Sequence, residues 1–490
     1  MISLEKYFEK YRNNIVGINQ YFEGPFGKKK IVYADWIASG RLYEPIENII
    51  KERFGPFVGN THSESSITGT SMTKAYKEAK RIIKQHVNAN QNDVLIFSGY
   101  GMTSAINKFQ RILGLRLPEQ LQKYVHIPKE EKPVVFLTHM EHHSNQTSWL
   151  ETICDVVLIE PDEKGLVNIN HLEHLLKLYE HRKLKIGSFT AASNVTGIQP
   201  PIYKMAELMH KYDGVCFVDF AAAAPYVDIN MHPEIEEQKL DAIFFSPHKF
   251  LGGPGTSGVL IFDSKLYNRR VPDNPGGGTV DWTNPWGEHK YIEDIETRED
   301  GGTPGFLQAI KSALVIKLKE EMGVENILQR EHELLTLAFD KLKKINGLHI
   351  LAAEHEERLG VISFYLENIH YNLMVKLLND KYGIQVRGGC SCAGTYGHYL
   401  LHVDPTRSKH ITEKINQGDL SEKPGWVRLS IHPTMTNDEL IFITDAIEEI
   451  INNIEKLSKD YIYSKKTNEY THIYYTEEKW QHIQDWFEVI

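Results

Sequence analysis

The sequence predicts an α/β protein in which a mostly parallel central sheet is flanked by helices and followed by a smaller α+β domain. Short apolar runs that end in small or turn residues, such as PVVFLTH (133 to 139), are typical of buried parallel strands. Helical patterns such as IYKMAELMHKY (202 to 212) alternate with these runs, which predicts helices on both faces of the sheet. From about residue 310, long helical patterns precede short strands, which indicates a second domain.

Predicted strands and helices alternate up to residue 262, and after that long helices are followed by short strands. Each predicted strand is a short apolar run, and each predicted helix repeats its apolar residues three or four positions apart. In the first part, strands are predicted over 93 to 99, 133 to 139, 153 to 160, 186 to 192, 214 to 220, 241 to 246 and 257 to 262, and helices over 73 to 87, 167 to 181 and 202 to 212. In the second part, helices are predicted over 306 to 323 and 325 to 345, and strands over 358 to 366 and 425 to 433.

We expect four segments along the chain. They are an N-terminal helical segment that joins the small domain (1 to 30), a large domain (31 to 305), a small C-terminal domain (306 to 455) and a C-terminal extension (456 to 490). The end of the extension, EEKWQHIQDWFEVI, predicts an amphipathic helix that docks on the body or on a partner subunit.

Composition and charge narrow the class of protein. Among 490 residues, Lys and Arg number 55 and Asp and Glu 65, and this mild acidity argues against nucleic acid as a partner. The chain opens with a charged, helix-like stretch, and no apolar run approaches the roughly 20 residues that span a bilayer, so we expect a cytoplasmic protein without a membrane partner. The few cysteines do not make a disulfide scaffold in a chain of this length; they are Cys154, Cys216, Cys390 and Cys392.

Polar residues follow five of the predicted strands. In an open parallel sheet, ligands bind at the carboxyl ends of the strands, where such residues converge. The sequence therefore predicts one site, built from Gly101, Met102, Thr103, His142, His143, Asn194, Asp219, Ser246, His248 and Lys249.

Lys249 and Asp219 indicate a specific cofactor chemistry. An ammonium group at the rim of a buried strand loses hydration, so its pKa falls and the neutral amine becomes a nucleophile for Schiff-base formation. Asp219 ends the run VCFVD, where a buried carboxylate needs a cationic partner. The protonated pyridine nitrogen of pyridoxal phosphate is such a partner, and the carboxylate then keeps the ring an electron sink. The alternatives are a surface lysine at Lys249 and a helix cap or an ion pair at Asp219.

The stretch SGYGMTSAIN (98 to 107) follows a strand and opens a helix, so its backbone N–H groups offer a site for an anion. It nearly matches a dinucleotide fingerprint, with Ser104 in place of the third glycine. The acidic residue expected about 20 positions later would be Glu119, which lies in a polar insert and not at a strand end. A single phosphate is therefore favoured over a nicotinamide cofactor, and Ser246 and His248 would complete its site.

The stretch THMEHHSN (138 to 145) ends another strand with three histidines. A metal site is disfavoured, because adjacent side chains point apart and no second ligand set of suitable spacing lies nearby. An imidazole that lies on an aromatic cofactor and handles protons is the favoured interpretation, and ordinary surface histidines are the alternative.

The stretch GIQVRGGCSCAGTYGHYLLH (383 to 402) carries an arginine and two cysteines. An arginine at a strand end suits bidentate recognition of a carboxylate, and a cysteine on a glycine-rich loop is accessible enough to act as a nucleophile. A zinc site that adds His398 and His402 to the cysteines is disfavoured, because the two thiols are closer in sequence than in the usual zinc knuckle.

Eight ordered motifs resemble the class V aminotransferase group of fold-type I pyridoxal-phosphate enzymes; they are GMTSAIN, EHHSNQTSW, SNVTG, VDFAAA, SPHK, GGGT, GGTP and RGGCSCA. The resemblance runs from about residue 30 to 455 and is closest to the cysteine desulfurase and selenocysteine lyase branch. It implies a fold-type I transferase whose large domain binds the cofactor. It also implies a homodimer, a small amino-acid substrate and a sulfur-acceptor protein as a further partner.

The resemblance implies a role for each matching residue. Lys249 would form the Schiff base with pyridoxal phosphate, Asp219 would pair with the ring nitrogen and His142 would stack on the ring. Cys392 would form a persulfide.

Further matching residues would bind the cofactor and the substrate. The phosphate would be held by Gly101, Met102, Thr103, Ser246 and His248, and by Thr279 of the other subunit. Asn194 would reach the ring hydroxyl or the substrate, and the substrate carboxylate would be bound by Arg428 with support from Arg387.

The sequence departs from the family pattern at four positions, so the resemblance is less specific about the identity of the substrate than about the chemistry of the cofactor. Ala222 stands where family members commonly have Gln, and Met102 replaces a usual threonine. Cys390 and Ser391 stand where the desulfurase loop often has two histidines.

The function that the resemblance implies is removal of sulfur or selenium from an L-cysteine-type substrate, through a cysteine persulfide, to give alanine. A C–S lyase, an aminotransferase or an epimerase acting on another amino acid is the alternative within the family. A non-catalytic binding or sulfur-relay module is an alternative of another class, which the presence of both Lys249 and Asp219 disfavours.

Overall fold

The computed structural model describes residues 3 to 61, 63 to 475 and 483 to 489. Within these ranges, a large sheet with helices on both faces is followed by a smaller antiparallel sheet that is also covered by helices. The helices are α1 (Leu4–Arg12), α2 (Glu44–Ile49), α3 (Ile67–His86), α4 (Met102–Ile112), α5 (Glu119–Gln122), α6 (His143–Leu150), α7 (Ile169–Leu178), α8 (Ile202–Lys211), α9 (Ile295–Glu299), α10 (Phe306–Met322), α11 (Val324–Leu342), α12 (Tyr371–Leu377), α13 (Gly394–Leu400), α14 (Pro405–Asn416), α15 (Asn437–Asn452) and α16 (Ile454–Leu457).

The strands are distributed over the central sheet, the smaller sheet and four two-stranded pairs of the described chain. They are β1 (Tyr21–Gly24), β2 (Gly27–Lys30), β3 (Val32–Tyr33), β4 (Asp93–Ser98), β5 (Val134–Thr138), β6 (Asp155–Ile159), β7 (Lys185–Thr190), β8 (Val215–Asp219), β9 (Ala242–Phe245), β10 (Gly258–Asp263), β11 (Val280–Thr283), β12 (His289–Tyr291), β13 (Leu348–Ile350), β14 (Val361–Leu366), β15 (Ile384–Gln385), β16 (Arg387–Gly389), β17 (Trp426–Ser430), β18 (Tyr461–Ser464) and β19 (Glu469–His472).

The central sheet of the described chain has seven strands in the order β4-β10-β9-β8-β7-β5-β6. Every strand predicted from an apolar run up to residue 262 is present, and the predicted fold class is confirmed. Only β10 runs antiparallel to its neighbours. The connection from β9 to β10 contains no crossover helix, and a chain that returns without a crossover pairs antiparallel.

The core lies on both faces of this sheet. Alternate side chains of a strand point to opposite faces, so Phe217 packs with Phe109 of α4 while Val218 joins the cluster on the other face. The second cluster includes buried residues of α3, α8 and α10. Because both faces are covered, the polar groups that end the strands can meet ligands only at the edge of the sheet.

The smaller sheet has the strand order β13-β14-β17-β16, and its described pairs are antiparallel. In the pairing of β16 with β17, Arg387 lies directly opposite Arg428. The N-terminal segment joins this region because β3 pairs with β15 and Asp35 forms an isolated bridge with Ser430. These pairings bring residues 35, 387 and 428 to one place.

The C-terminal extension begins with a hairpin of β18 and β19. The hydroxyl of Tyr461 donates a hydrogen bond to Asp380 at 2.9 Å, and the side-chain amide of Asn468 donates to the hydroxyl of Tyr371 at 2.6 Å. Half of the predicted terminal helix, residues 477 to 482 and 490, lies outside the described residues, and residues 483 to 489 are exposed. Among the described helices, none is long and apolar enough to cross a membrane.

Candidate active site

A cavity of about 360 Å³ opens at the carboxyl edge of the central sheet. Its lining combines the turns after β4, β5, β7, β8 and β9 with β16, β17 and the loop after β16. The predicted site residues that line it are Gly101, Met102, Thr103, His142, Asn194, Asp219, Ser246, His248, Lys249, Arg387, Cys392 and Arg428. The structure therefore brings together side chains that lie as far apart in sequence as residues 101 and 428.

Lys249 ends a short 3-10 turn, Pro247–Lys249, that directly follows β9. Burial lowers the pKa of its ammonium group to about 8, and Arg428 adds to the lowering while Asp219 opposes it. Near pH 8 a large share of the Lys249 side chains are therefore neutral amines. This is the state that a nucleophilic lysine needs.

Asp219 is the last residue of β8 and is only 3% exposed. Its carboxylate accepts a hydrogen bond from the backbone N–H of Ala221 at 2.8 Å. Burial nevertheless raises its pKa to about 6, because neither that hydrogen bond nor Lys249 offsets the loss of hydration. A cation bound in the cavity beside Asp219 would lower this pKa again and so stabilise the ionised carboxylate.

The predicted anion site lies at the N-terminus of α4. Met102 donates its backbone N–H to the hydroxyl oxygen of Ser246 at 2.8 Å, which ties the start of α4 to the turn that carries Lys249. The Thr103 and Ser144 hydroxyls lie 2.7 Å apart. A Cβ atom at Gly258 would lie 2.3 Å from the Gly101 carbonyl oxygen, so only glycine fits where β10 passes this loop.

His142 is the N-cap of α6, and its Nδ1 accepts the backbone N–H of Ser144 at 3.1 Å. Burial, with a smaller contribution from Lys249, lowers its pKa to about 3, so the ring is neutral at physiological pH. A neutral imidazole that accepts at Nδ1 carries its proton on Nε2. His142, which lines the cavity, therefore carries an N–H donor at Nε2.

Glu141 directly precedes this histidine in the chain and is itself held by several hydrogen bonds. It is buried and accepts hydrogen bonds from the Thr138 hydroxyl at 2.7 Å and from the backbone N–H of Thr190 at 3.0 Å, which joins the ends of β5 and β7. Burial raises its pKa to about 7. The sequence analysis gave this residue no role.

The other two histidines of THMEHHSN point elsewhere. His139 contacts the carbonyl oxygen of Gly165 through Nε2 at 3.0 Å, and Nε2 of His143 accepts the backbone N–H of Gly394 at 2.9 Å. In the part of the chain that the structure describes, no group of three or more metal-ligating side chains is present.

Asp35 is the main site residue that the sequence analysis missed. Its Oδ1 accepts from Nη2 of Arg428 at 2.8 Å, and its Oδ2 accepts from Nε of Arg387 at 3.1 Å. Arg428 is 3% exposed, and Nη1 also donates to the Asn194 carbonyl oxygen at 3.2 Å. The available signal in the sequence was Asp35 itself, the single acidic residue of the stretch VYADWIASG, in which most other residues are small or apolar.

Three buried polar atoms of cavity residues have no hydrogen-bond partner among the described residues; they are Asn194 Oδ1, Ser391 Oγ and Arg428 Nε. Buried polar atoms in folded proteins are nearly always paired. Asn194 is held in place, because its amide donates to the Ser391 carbonyl oxygen at 2.7 Å. The three atoms therefore mark where polar groups of a ligand would bind.

Cys392 is exposed and lines the cavity on a tight loop. The backbone N–H of His143 donates to the Cys392 carbonyl oxygen at 2.7 Å, so the start of α6 anchors this loop. The predicted nucleophile and the predicted Schiff-base lysine thus share one cavity.

Thr279 does not line this cavity. It is buried in its own loop, where its hydroxyl donates to the Gly276 carbonyl oxygen at 2.6 Å. Its role at the site of another subunit stays a prediction.

Comparison with known proteins gives concordant results. The sequence model of the family described as Aminotransferase class-V matches residues 32–441. Probable cysteine desulfurases from Staphylococcus aureus and Halalkalibacterium halodurans are each 27% identical to this chain over 74% of its length and 84% of theirs. A solved cysteine desulfurase from Thermococcus onnurineus superposes with a TM-score of 0.72 at 21% identity, covering 91% of this chain and 98% of the other.

Proposed function

Because the chain belongs to the class V aminotransferase family, we propose that it is a pyridoxal-phosphate-dependent cysteine desulfurase that takes sulfur from an L-cysteine-type amino acid and leaves alanine. The observation that carries the proposal is the shared cavity of Lys249, Asp219 and Cys392. The names of the relatives from Staphylococcus aureus and Halalkalibacterium halodurans support the same activity.

The residues of the cavity fit pyridoxal phosphate. Asp219 is a buried carboxylate whose pKa burial raises to about 6. Such a carboxylate is stabilised by a cation, and the pyridinium nitrogen of the cofactor would supply one. The N-terminus of α4, with Ser246 and His248 beside it, suits a phosphate. Asn194 Oδ1 is available to a hydroxyl donor, since it is buried and has no partner among the described residues.

When bound, pyridoxal phosphate supplies an electron sink for negative charge at the substrate Cα. The chain supplies the proton transfers. With its pKa near 8, the Nζ atom of Lys249 can take the Cα proton as a neutral amine and return a proton to carbon as an ammonium group. Asp219 holds the positive charge of the ring nitrogen in place.

Arg428 orients the substrate by its carboxylate. The guanidinium is fixed by Asp35 and by the Asn194 carbonyl oxygen, and its unpaired Nε leaves one donor for a ligand. A charge-assisted hydrogen bond from a fixed guanidinium is stronger than one from a mobile side chain, since little entropy is lost. Arg387, on the neighbouring strand, adds a second positive charge.

Cys392 is the sulfur acceptor of the reaction. Its thiolate attacks the sulfur of the substrate, a bond forms between the two sulfur atoms and the carbon–sulfur bond of the substrate breaks. The electron pair of that bond and a proton stay with the carbon, so the products are alanine and a Cys392 persulfide. His142 lines the same cavity, and its Nε2–H is the donor that would serve the substrate sulfur.

The test compares wild type with Cys392→Ala in the presence of L-cysteine and follows alanine release. We expect alanine from wild type and a loss of at least about a hundredfold in the variant, because the acceptor of the sulfur atom is gone. Cys154→Ala is the matched control, since Cys154 is half-buried and does not line this cavity. Equal turnover in wild type and Cys392→Ala, or pyruvate in place of alanine, would favour the C–S lyase alternative.

A further inference from the structure

A second thiol lies two residues from Cys392. Cys390 and Cys392 are both free cysteines, and the Cys390 carbonyl oxygen accepts the backbone N–H of Ala393 at 3.0 Å, which closes a β-turn. The central residues Ser391 and Cys392 have φ values of 50° and 58°. Two peptide units span at most about 7 Å and the turn shortens that span, so the two Cα atoms lie at a separation that a disulfide accepts.

The two thiols occupy different surroundings. Cys392 is exposed and lines the cavity, whereas Cys390 is half-buried and packs against the core of the described chain near Tyr371. A substrate in the cavity therefore meets Cys392 first. We expect the turn to change its conformation when the Cys390 thiol approaches a sulfur atom on Cys392.

The backbone of this turn has a costly conformation, which favours a change in that conformation. Left-handed φ values cost of order 1 kcal/mol or more for residues other than glycine, and Ser391 and Cys392 both adopt them. The Ser391 hydroxyl is buried without a hydrogen-bond partner among the described residues. Gly389 precedes the turn with a φ of 102°, a value that glycine adopts at little cost, and a Cβ atom there would meet nothing within 4 Å.

We propose that Cys390 is the resolving thiol of the reaction, an inference that rests on the proposed desulfurase function. The Cys390 thiolate attacks the inner sulfur of the Cys392 persulfide. A disulfide forms between Cys390 and Cys392, the sulfur–sulfur bond of the persulfide breaks, and its outer sulfur leaves with the electron pair and the thiol proton as hydrosulfide. The two thiols are oxidised and the outer sulfur is reduced, so no external oxidant is needed.

The consequence is a two-stage cycle. The protein releases hydrosulfide without an acceptor protein and then stops until a dithiol reductant opens the disulfide. A disulfide across a single intervening residue is strained, and strained disulfides are the more readily reduced ones. Reduction thus returns both thiols for the next substrate.

The test is a single turnover of the cofactor-loaded protein with L-cysteine and no added reductant. For wild type we expect one hydrosulfide per alanine and a protein mass lowered by two hydrogens. For Cys390→Ser we expect the same alanine burst, but at least tenfold less hydrosulfide and a mass raised by one sulfur atom. Cys390→Ala repeats the comparison with a side chain suited to partial burial, and Cys154→Ala is the control that should match wild type.

Two outcomes overturn the inference: a wild-type persulfide that persists as long as that of Cys390→Ser, and sulfane sulfur mapped to Cys390 itself. A second measurement is independent of L-cysteine. In a redox buffer of oxidised and reduced dithiothreitol, the cofactor-free protein should form the Cys390–Cys392 disulfide reversibly, as peptide mapping would show. If this disulfide forms but alanine is never produced from L-cysteine, the proposed function fails, and the resolving role fails with it. If alanine is produced but the disulfide forms at no ratio of oxidised to reduced dithiothreitol, only the inference about Cys390 fails.

Discussion

At the scale of single residues, burial decides the protonation states that the chemistry needs. The same loss of hydration lowers the pKa of the Lys249 ammonium group to about 8 and raises that of the Asp219 carboxyl group to about 6. It also keeps His142 neutral, with its pKa lowered to about 3. The lysine and the aspartate could be predicted from the sequence, because Asp219 lies at the end of a predicted strand and Lys249 lies shortly after another.

Covalent attachment of the cofactor at Lys249 should follow the pKa of this residue. Only the neutral amine attacks a carbonyl group, so the rate should rise about tenfold per pH unit below 8 and level off above it. The measurement is the rise of visible absorption after pyridoxal phosphate is mixed with cofactor-free protein between pH 6 and 9.5. Lys249→Ala, which should show no covalent attachment after borohydride reduction, is the control; a rate that still rises about tenfold per pH unit at the upper end of this range would contradict the lowered pKa.

Asp35 should stabilise the fold through its two arginines. Removing its charge in Asp35→Asn leaves the buried Arg428 guanidinium without a counter-charge and next to Arg387, so we expect the free energy of unfolding to fall by about 3 kcal/mol. Urea unfolding of the cofactor-free protein measures this, with Glu52→Gln as an exposed control. A change within about 0.5 kcal/mol, as is usual for surface substitutions, would mean that Arg428 keeps its charge by other contacts.

Asp35 also shows why residue-level prediction stops where it does. Its function depends on two pairings, Asp35 with Ser430 and Arg387 with Arg428, that join segments 395 and 41 residues apart. Nothing local to the stretch around Asp35 specifies those partners. Lys249 and Asp219, by contrast, could be predicted because a strand end alone determines their position.

At the scale of elements, the apolar runs predicted the strands of the central sheet but not the direction of β10. Buried strands look alike in sequence whichever way they run, and direction is set by the connection. The C-terminal hairpin was not predicted either, because its strands are only four residues long and mix Tyr and Ile with polar residues. Its stability comes from specific contacts, such as that of Tyr461 with Asp380.

Tyr461→Phe should therefore destabilise the protein. The substitution removes the hydroxyl that donates to the buried Asp380 carboxylate, and we expect a loss of about 1 to 3 kcal/mol in the free energy of unfolding. The measurement is the urea midpoint of the cofactor-free protein. Tyr474→Phe, at a side chain that is 84% exposed, is the matched control and should leave the midpoint unchanged. Equal midpoints for both variants would show that the hairpin does not contribute to global stability.

At the scale of the whole molecule, the site exists only because two sheets meet. The central sheet contributes Lys249 and Asp219, while the smaller sheet contributes Arg387 and Arg428, and the loop after β16 brings Cys392 between them. A change in the relative position of the two sheets would therefore move Arg387, Arg428 and Cys392 relative to Lys249 and Asp219, while these two residues would keep their positions in the central sheet.

Thr279 is predicted to act at the site of a second subunit, since its own chain does not bring it to the cavity. If Thr279 serves the phosphate of a partner, a mixed dimer of Lys249→Ala with Thr279→Ala carries both changes in one site and neither in the other. Random mixing should then restore activity at about a quarter of all sites, at cofactor concentrations too low to load the Thr279→Ala dimer. Alanine release after co-refolding measures this.

The hydroxyl of Thr279 is bonded within its own loop, so service to a partner requires that this loop opens on dimerisation. Co-refolded protein with no more activity than the two parent variants would mean that Thr279 acts within its own chain. Full activity of Thr279→Ala alone at low cofactor concentration would mean that it does not act on the phosphate at all. Only restored activity is consistent with sites shared between subunits, because in that case alone does one partner supply what the other lacks.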